Sequence, residues 1–241
     1  MKIYSSSDRG LKRENNQDAY IAGEFGNGSV FAVVCDGMGG ANGGNVASET
    51  AAKIISDYII NSYSPKMNGN SVENMLRAAV DTANAEIFAK SKEGPDYFGM
   101  GTTVVAAVVR DNLAHIVHVG DSRAYLSTAD GLLKLTSDHS VVQNMIDSGE
   151  ISEDEAKSHP KKNIITRAVG TEQTVFCDYD IVIKPENNVL VICTDGLSNY
   201  VSEETIFDIL KNENEENAAD KLVSLANEAG GGDNITVVLI Y

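Results

Sequence analysis

The sequence predicts an α+β chain, a largely antiparallel β-sandwich with helices outside. Three observations carry this. Strand-like runs come as hairpins and are then followed by helix pairs, where a doubly wound parallel sheet needs strand and helix to alternate. At 241 residues the chain is long for an average domain, short for two, and within range for one sandwich. No linker, repeat or low-complexity tract divides it, so residues 1–241 read as a single domain.

Runs rich in Val and Ile, bounded by Gly, Asp or Asn, place strands at 29–35, 102–110, 113–119, 124–127, 132–136, 174–183, 189–193 and 234–241. The turn Thr128-Ala129-Asp130-Gly131 makes a hairpin of the fourth and fifth. In the sixth, Val175, Cys177, Tyr179, Ile181 and Ile183 alternate onto one face. Apolar stripes at helical spacing place helices at 46–62 and 72–92. Two more are expected at 203–210 and 217–229, the last stopped by Gly230. Ser152 and Glu155 have the reciprocal spacing of a capping box, so a short helix starts there.

Lys and Arg number 19 against 35 Asp and Glu, a net charge of −16. Such a surface argues against a nucleic-acid backbone or an acidic lipid as the main partner and favours cations. The amino terminus lacks an apolar signal core, and apolar runs such as 104–109 fall far short of the ~20 residues that span a bilayer. Cys35, Cys177 and Cys193 show no CxxC spacing and read as small buried hydrophobes in a reducing compartment. The chain is therefore expected to be cytoplasmic and monomeric.

The chemistry lies where the aspartates sit. Phe31–Cys35 runs into Asp36-Gly37, His115–Val119 into Gly120-Asp121, and Val189–Cys193 into Thr194-Asp195-Gly196, while Asp233 opens the closing strand. One such Asp can simply cap its own turn. Four at apolar strand ends point elsewhere. Two carboxylates about 5 Å apart at an effective dielectric near 20 repel by roughly 3 kcal/mol. Three such pairs rival the stability of a domain, so a cluster must be protonated or bind cations. Oxygen-only donors favour Mg²⁺ or Mn²⁺ over Zn²⁺.

Several short motifs follow in order: Arg13-Glu14-Asn15-Asn16-Gln17-Asp18, Asp36-Gly37-Met38-Gly39-Gly40, Gly101-Thr102-Thr103, Gly120-Asp121-Ser122-Arg123-Ala124-Tyr125, Thr136-Ser137-Asp138-His139-Ser140, Ile165-Thr166-Arg167-Ala168-Val169-Gly170, Thr194-Asp195-Gly196 and Gly232-Asp233-Asn234-Ile235-Thr236. Each alone is weak; together, in this order, they are specific. The set resembles the metal-dependent protein phosphatases of type 2C, in particular the compact bacterial serine/threonine phosphatases, from about Asp8 to the last strand.

The resemblance implies two antiparallel sheets packed face to face, with helices on both outer faces. It implies two Mn²⁺ or Mg²⁺ ions bridged by Asp36, one of them also bound by the Gly37 carbonyl. Asp195 and Asp233 complete the other site, and Asp121 with Asp195 forms a third, weaker one. Arg13 holds the substrate phosphate, and Asp18 supports the ligands without being one. The implied reaction is direct attack on phosphoserine or phosphothreonine by a hydroxide bridging the ions, with no phosphoenzyme. Its partners are phosphorylated proteins, including serine/threonine kinases and their substrates. The rival readings are a catalytically silent relative that binds metal or phosphoprotein, and a hydrolase of small phosphate esters. A silent binder has no need of the four aspartates and Arg13.

Met38 stands where eukaryotic relatives carry a histidine proposed as general acid, and a thioether donates no proton. A metal-bound water is the expected donor, with His139 and His159 more remote candidates. The polar stretch 141–163 reads either as an ordinary surface helix and loop or, by resemblance, as a flap beside the site. The glycines of 37–44 do not make a dinucleotide fingerprint, because Asn42 stands where its third glycine belongs. Asn27-Gly28-Ser29 and Asn234-Ile235-Thr236 are chance matches to a glycosylation pattern, and His115 and His118 point to opposite faces of one strand.

Overall fold

The computed structural model describes residues 1–39 and 43–241. Gly40 and Asn42, named above, lie outside the described residues. One sheet runs in the order β1 (Ile3–Asp8), β11 (Ile235–Ile240), β10 (Leu190–Cys193), β7 (Arg123–Ser127), β8 (Leu132–Lys134). The other runs β2 (Asp18–Glu24), β3 (Val30–Met38), β5 (Val104–Arg110), β6 (Leu113–Val119), β9 (Asp178–Ile183), with β4 (Gly101–Thr102) pairing the end of β3. The pairings are antiparallel.

Three apolar layers hold the sheets and helices together. Between the sheets, Val30, Ala32 and Val34 of β3 and Val105, Ala107 and Val109 of β5 meet Ile192 of β10 and Val238 of β11. The opposite face of the β2–β9 sheet packs under α1 (Gly43–Ser62) and α2 (Gly69–Lys90). The outer face of the other sheet packs under α5 (Asp195–Ser198), α6 (Glu203–Asn212) and α7 (Glu215–Glu228). Helices on both outer faces explain why the central strands are unbroken apolar runs. Every residue of β5, β10 and β11 is buried, because each strand has a sheet on one side and helices on the other.

Local signals set several boundaries. Asn68 caps α2 by accepting from the Ser71 N–H, and Ser152 and Glu155 form the full capping box of α4 (Glu153–Ser158). The β7–β8 hairpin closes through Thr128 N–H to Gly131 O. The three cysteines are free and buried, and burial pushes the Cys193 thiol up to about 12.

Other expectations need correction. β1 and β2 carry no strand signature, because serines and half-buried polar residues serve edge strands that cover the sheet on one side only. β9 begins at Asp178, and Ile181 and Ile183 are 47% and 71% exposed. Their strand is the sheet edge, so the shared face expected from Val175 to Ile183 is buried only in its first half. The stretch 141–163 contains α3 (Val141–Asp147) as well as α4. It leaves and rejoins the fold at one narrow base, where Ser140 bridges Ile165 and the Val141 N–H donates to Ile164 O.

Candidate active site

The motif aspartates converge because both sheets end in the same place. Asp18 opens β2 directly opposite Asp36 on β3. Asp121 follows β6, Asp195 follows β10, and Asp233 precedes β11. Backbone bonds fix the turns that carry them: Gly37 N–H to Gln17 O (3.0 Å), Thr103 N–H to Asp36 O (2.9 Å) and Thr194 N–H to Thr236 O (3.1 Å).

Hydroxyls then tie the carboxylates to one another's strands. Asp18 Oδ2 accepts from Thr194 Oγ1 (2.9 Å) and Thr236 Oγ1 (2.7 Å), so a residue of one sheet is held by two threonines of the other. The Asp36 N–H donates to Thr103 Oγ1, which shares a 2.7 Å bond with Ser122 beside Asp121. Asn234 accepts the Gln17 N–H and donates to the carbonyls of Arg9 and Asn15, pinning the loop that presents Arg13.

Burial and mutual repulsion set the protonation of the cluster. Burial, then the Asp195 and Asp233 charges, push Asp18 up to about 7 against the pull of its two hydroxyls. Burial, with Asp18, Asp195, Asp121 and Asp233 around it, holds Asp36 well above the usual carboxylate range. Asp121 rises to about 7 through burial and then Asp195; Asp195 rises to about 6 through burial and then Asp233. Asp195 Oδ2 accepts from Asn199, yet Asp195 Oδ1 and Asp18 Oδ1 are buried with no hydrogen-bond partner among the described residues. Buried acceptors of this kind are costly unless something cationic meets them.

The positive charge on the protein falls short of that need. Arg13, half-exposed, forms a 2.8 Å ion pair with Asp233. Arg123 turns instead to Asp138, through Nε (3.0 Å) and Nη2 (2.7 Å), and Lys134 joins it at 2.7 Å. The seven sequence-derived residues thus come together: Asp18, Asp36, Gly37, Asp121, Asp195 and Asp233 around one centre, with Arg13 at its rim. Thr194, Thr236, Thr103 and Asn234 escaped sequence reasoning as site residues. They stand inside the motifs, but their work depends on which strands lie side by side. His139, a remote candidate proton donor, is buried and hydrogen-bonded to Gly120 and Asp178.

Gly196 shows how close the turns approach. A Cβ there would lie 1.8 Å from the Asn234 carbonyl oxygen, so the Asp195 turn and the Asp233 turn touch through backbone alone. Gly196→Ala is expected to destabilise the fold by about 3 kcal/mol through overpacking, measured by urea denaturation. The same shift moves the Asp195 turn from the Asp233 turn.

A family model described as protein phosphatase 2C matches residues 10–226. The chain belongs to the protein phosphatase 2C family. This phosphatase is 39% identical over 235 residues to Serine/threonine phosphatase stp of Listeria monocytogenes, spanning 97% of this chain and 93% of that one. It superposes on the Streptococcus agalactiae serine/threonine phosphatase with a TM-score of 0.92 at 35% identity, over 100% of this chain and 98% of that one. It matches the catalytic domain of the serine threonine protein phosphatase PstP, solved with 2 manganese ions, with a TM-score of 0.86 at 33% identity, over 99% and 96%. The αββα layering expected from the motifs is therefore that of the phosphatase 2C fold.

Proposed function

We propose that this phosphatase hydrolyses phosphoserine and phosphothreonine in proteins at a divalent-cation centre held by Asp36, the Gly37 carbonyl, Asp195 and Asp233. Asp121 and Asp195 would hold a third, weaker ion. The observation that carries the reading is the half-buried carboxylate cluster itself: the orphaned Asp195 Oδ1, raised proton affinities and one rim arginine, a donor set suited to a hard cation. Its oxygen ligands favour Mn²⁺ or Mg²⁺, and the manganese-bound neighbour supports the former. Bound, such ions supply Lewis acidity toward phosphoryl oxygens and acidify water, which makes direct hydrolysis without a phosphoenzyme the favoured route.

The chain's own residues do the rest. Asp18 stays off the ligand set, with Oδ2 occupied by Thr194 and Thr236, and orients the turns that carry Asp195 and Asp233. Arg13, held at the rim by Asp233, offers its free guanidinium edge to the substrate phosphate, where a charge-assisted bond steadies the equatorial oxygens. Met38 supplies no proton, so protonation of the leaving serine or threonine oxygen falls to solvent in the centre. The excursion 141–163 acts as a flap that shapes substrate choice. The setting we favour is one catalytic domain, monomeric and cytoplasmic, opposing serine/threonine kinases in signalling. Among the described residues no helix is long and apolar enough to cross a membrane.

The test is phosphate release from a phosphothreonine peptide with and without Mn²⁺. Turnover is expected only with the ion, and Arg13→Ala should raise KM about tenfold, the worth of one charge-assisted hydrogen bond. Metal binding without turnover would overturn the reading in favour of a silent binder. Equal turnover of a small phosphate ester and the peptide would favour the small-ester hydrolase.

A further inference from the structure

Beside the acidic centre, His118, His139 and Asp178 bring one ligand atom each within 4.8 Å of one another, a spacing open to a metal ion. The hydrogen bonds argue against a metal. The buried Gly120 N–H donates to His139 Nδ1 at 3.1 Å, so the ring proton sits on Nε2, 3.2 Å from Asp178 Oδ2. A histidine that ligates metal does the reverse, donating its second ring N–H outward. The Arg167 guanidinium also occupies the spot, 3.1 Å from His139 Nε2 and 2.9 Å from Asp178 Oδ1.

The same bonds describe a clamp. The side chain and the main chain of His139 each hold Gly120, the ring accepting the Gly120 N–H while the His139 backbone N–H donates to the Gly120 carbonyl at 2.9 Å. Asp178 holds the far side of the ring, and His118 stacks on it at 4.7 Å between centroids. Gly120 stands at φ +102°, and a Cβ there would come within 2.6 Å of Thr103, whose hydroxyl accepts the Asp36 N–H. The next residue is Asp121. The His139 backbone carbonyl accepts the Thr166 N–H at 2.7 Å, one step from the Ser140–Ile165 bridge that closes the base of 141–163.

We propose that His139 is a positioning residue that fixes the Gly120–Asp121 turn, and with it the Asp121 carboxylate, to the base of the 141–163 excursion. This rests on the reading of Asp121 as a ligand of the weaker ion. The His139 ring acts as a hydrogen-bond acceptor toward Gly120; it neither donates a proton to substrate nor binds metal.

Mn²⁺ binding isotherms of the full chain test it, with Asp121→Asn, His139→Leu and His139→Asn beside the wild type. Asparagine can place Oδ1 where Nδ1 stood and keep the Gly120 bond; leucine cannot. Asp121→Asn and His139→Leu should each weaken the weakest Mn²⁺ step by about tenfold or more, the equivalent of one hydrogen bond, with the tighter steps unchanged and His139→Asn restoring it. A weak step lost in Asp121→Asn but kept in His139→Leu overturns the proposal alone. A weak step kept in Asp121→Asn overturns the ligand assignment and the proposal together. Should His139→Leu not fold, the Mg²⁺-loaded wild type still decides. The proposal requires a scalar coupling across the hydrogen bond between the Gly120 amide nitrogen and His139 Nδ1, and its absence overturns it.

Discussion

Asp36→Asn is expected to cut kcat/KM for a phosphothreonine peptide by about 10³-fold or more, roughly 4 kcal/mol of transition-state stabilisation, while making the metal-free protein more stable. The two effects have one cause. Asp36 is half-buried, with Asp18, Asp195, Asp121 and Asp233 pressing on its charge. Without cations, ionising it is opposed by desolvation and by four like charges; in the proposed centre, cations take up that charge. Asparagine has nearly the same shape, carries no charge and can donate to Asp195. Differential scanning calorimetry in EDTA at pH 8 should show a Tm several degrees above wild type, since 1 kcal/mol corresponds to about 2–4 °C in a chain of this size. A variant that loses activity and is also less stable in EDTA would mean that Asp36 is a structural residue.

The second large effect is a pH-dependent gain of stability from Mn²⁺. Asp18 and Asp121 at about 7 and Asp195 at about 6 all lie above their unfolded value of 3.8. Groups raised in this way bind more protons folded than unfolded. Their favourable share is full below about pH 4 and disappears as pH rises through 6 to 7. The metal-free fold is therefore weakened at pH 8, when the cluster is ionised and unpaired. In the proposed centre Mn²⁺ binds the ionised form and displaces its protons, so its stabilisation is expected to grow with pH. His115 and His139, whose pKa values burial lowers, and Asp138, held low by Arg123 and Lys134 despite burial, titrate with the opposite sign. They are not ligands of the proposed centre, so the ion is expected to change them less than the carboxylates that hold it. The Tm gain from Mn²⁺ is expected to be small at pH 5 and on the order of 10 °C at pH 8. An equal gain at both would show that the carboxylates are already ionised at pH 5.

The strands that carry the chemistry were legible because they are buried on both faces. Such strands must be continuous Val and Ile runs, and an aspartate directly after one is conspicuous. Edge strands have no such constraint. β1, with Tyr-Ser-Ser-Ser at its centre, is a strand only because β11 lies alongside it. Alternation told only that Val175 to Ile183 share a face; the exposure of Ile181 and Ile183 came from the edge position of β9, where α1 and α2 cover only the start of that face. α3 escaped because only Val142 of its seven residues is buried, too little for an apolar stripe.

The amino-acid sequence by itself determined the layered sandwich, the anionic surface, the aspartates at strand ends and the family to which their order belongs. These follow from local composition, from the turns that glycine permits, and from charges that cannot lie together unpaired. Tertiary structure alone decided that Thr194 and Thr236 hold Asp18, that Asn234 pins the Arg13 loop, and that His139 grips Gly120. In each case the hydrogen bond joins residues far apart in the chain, and its energy depends on a register that local sequence does not encode. A carboxylate shows its chemistry in its own side chain, whereas a threonine or histidine shows its role only through the neighbour that packing sets within 3 Å of it.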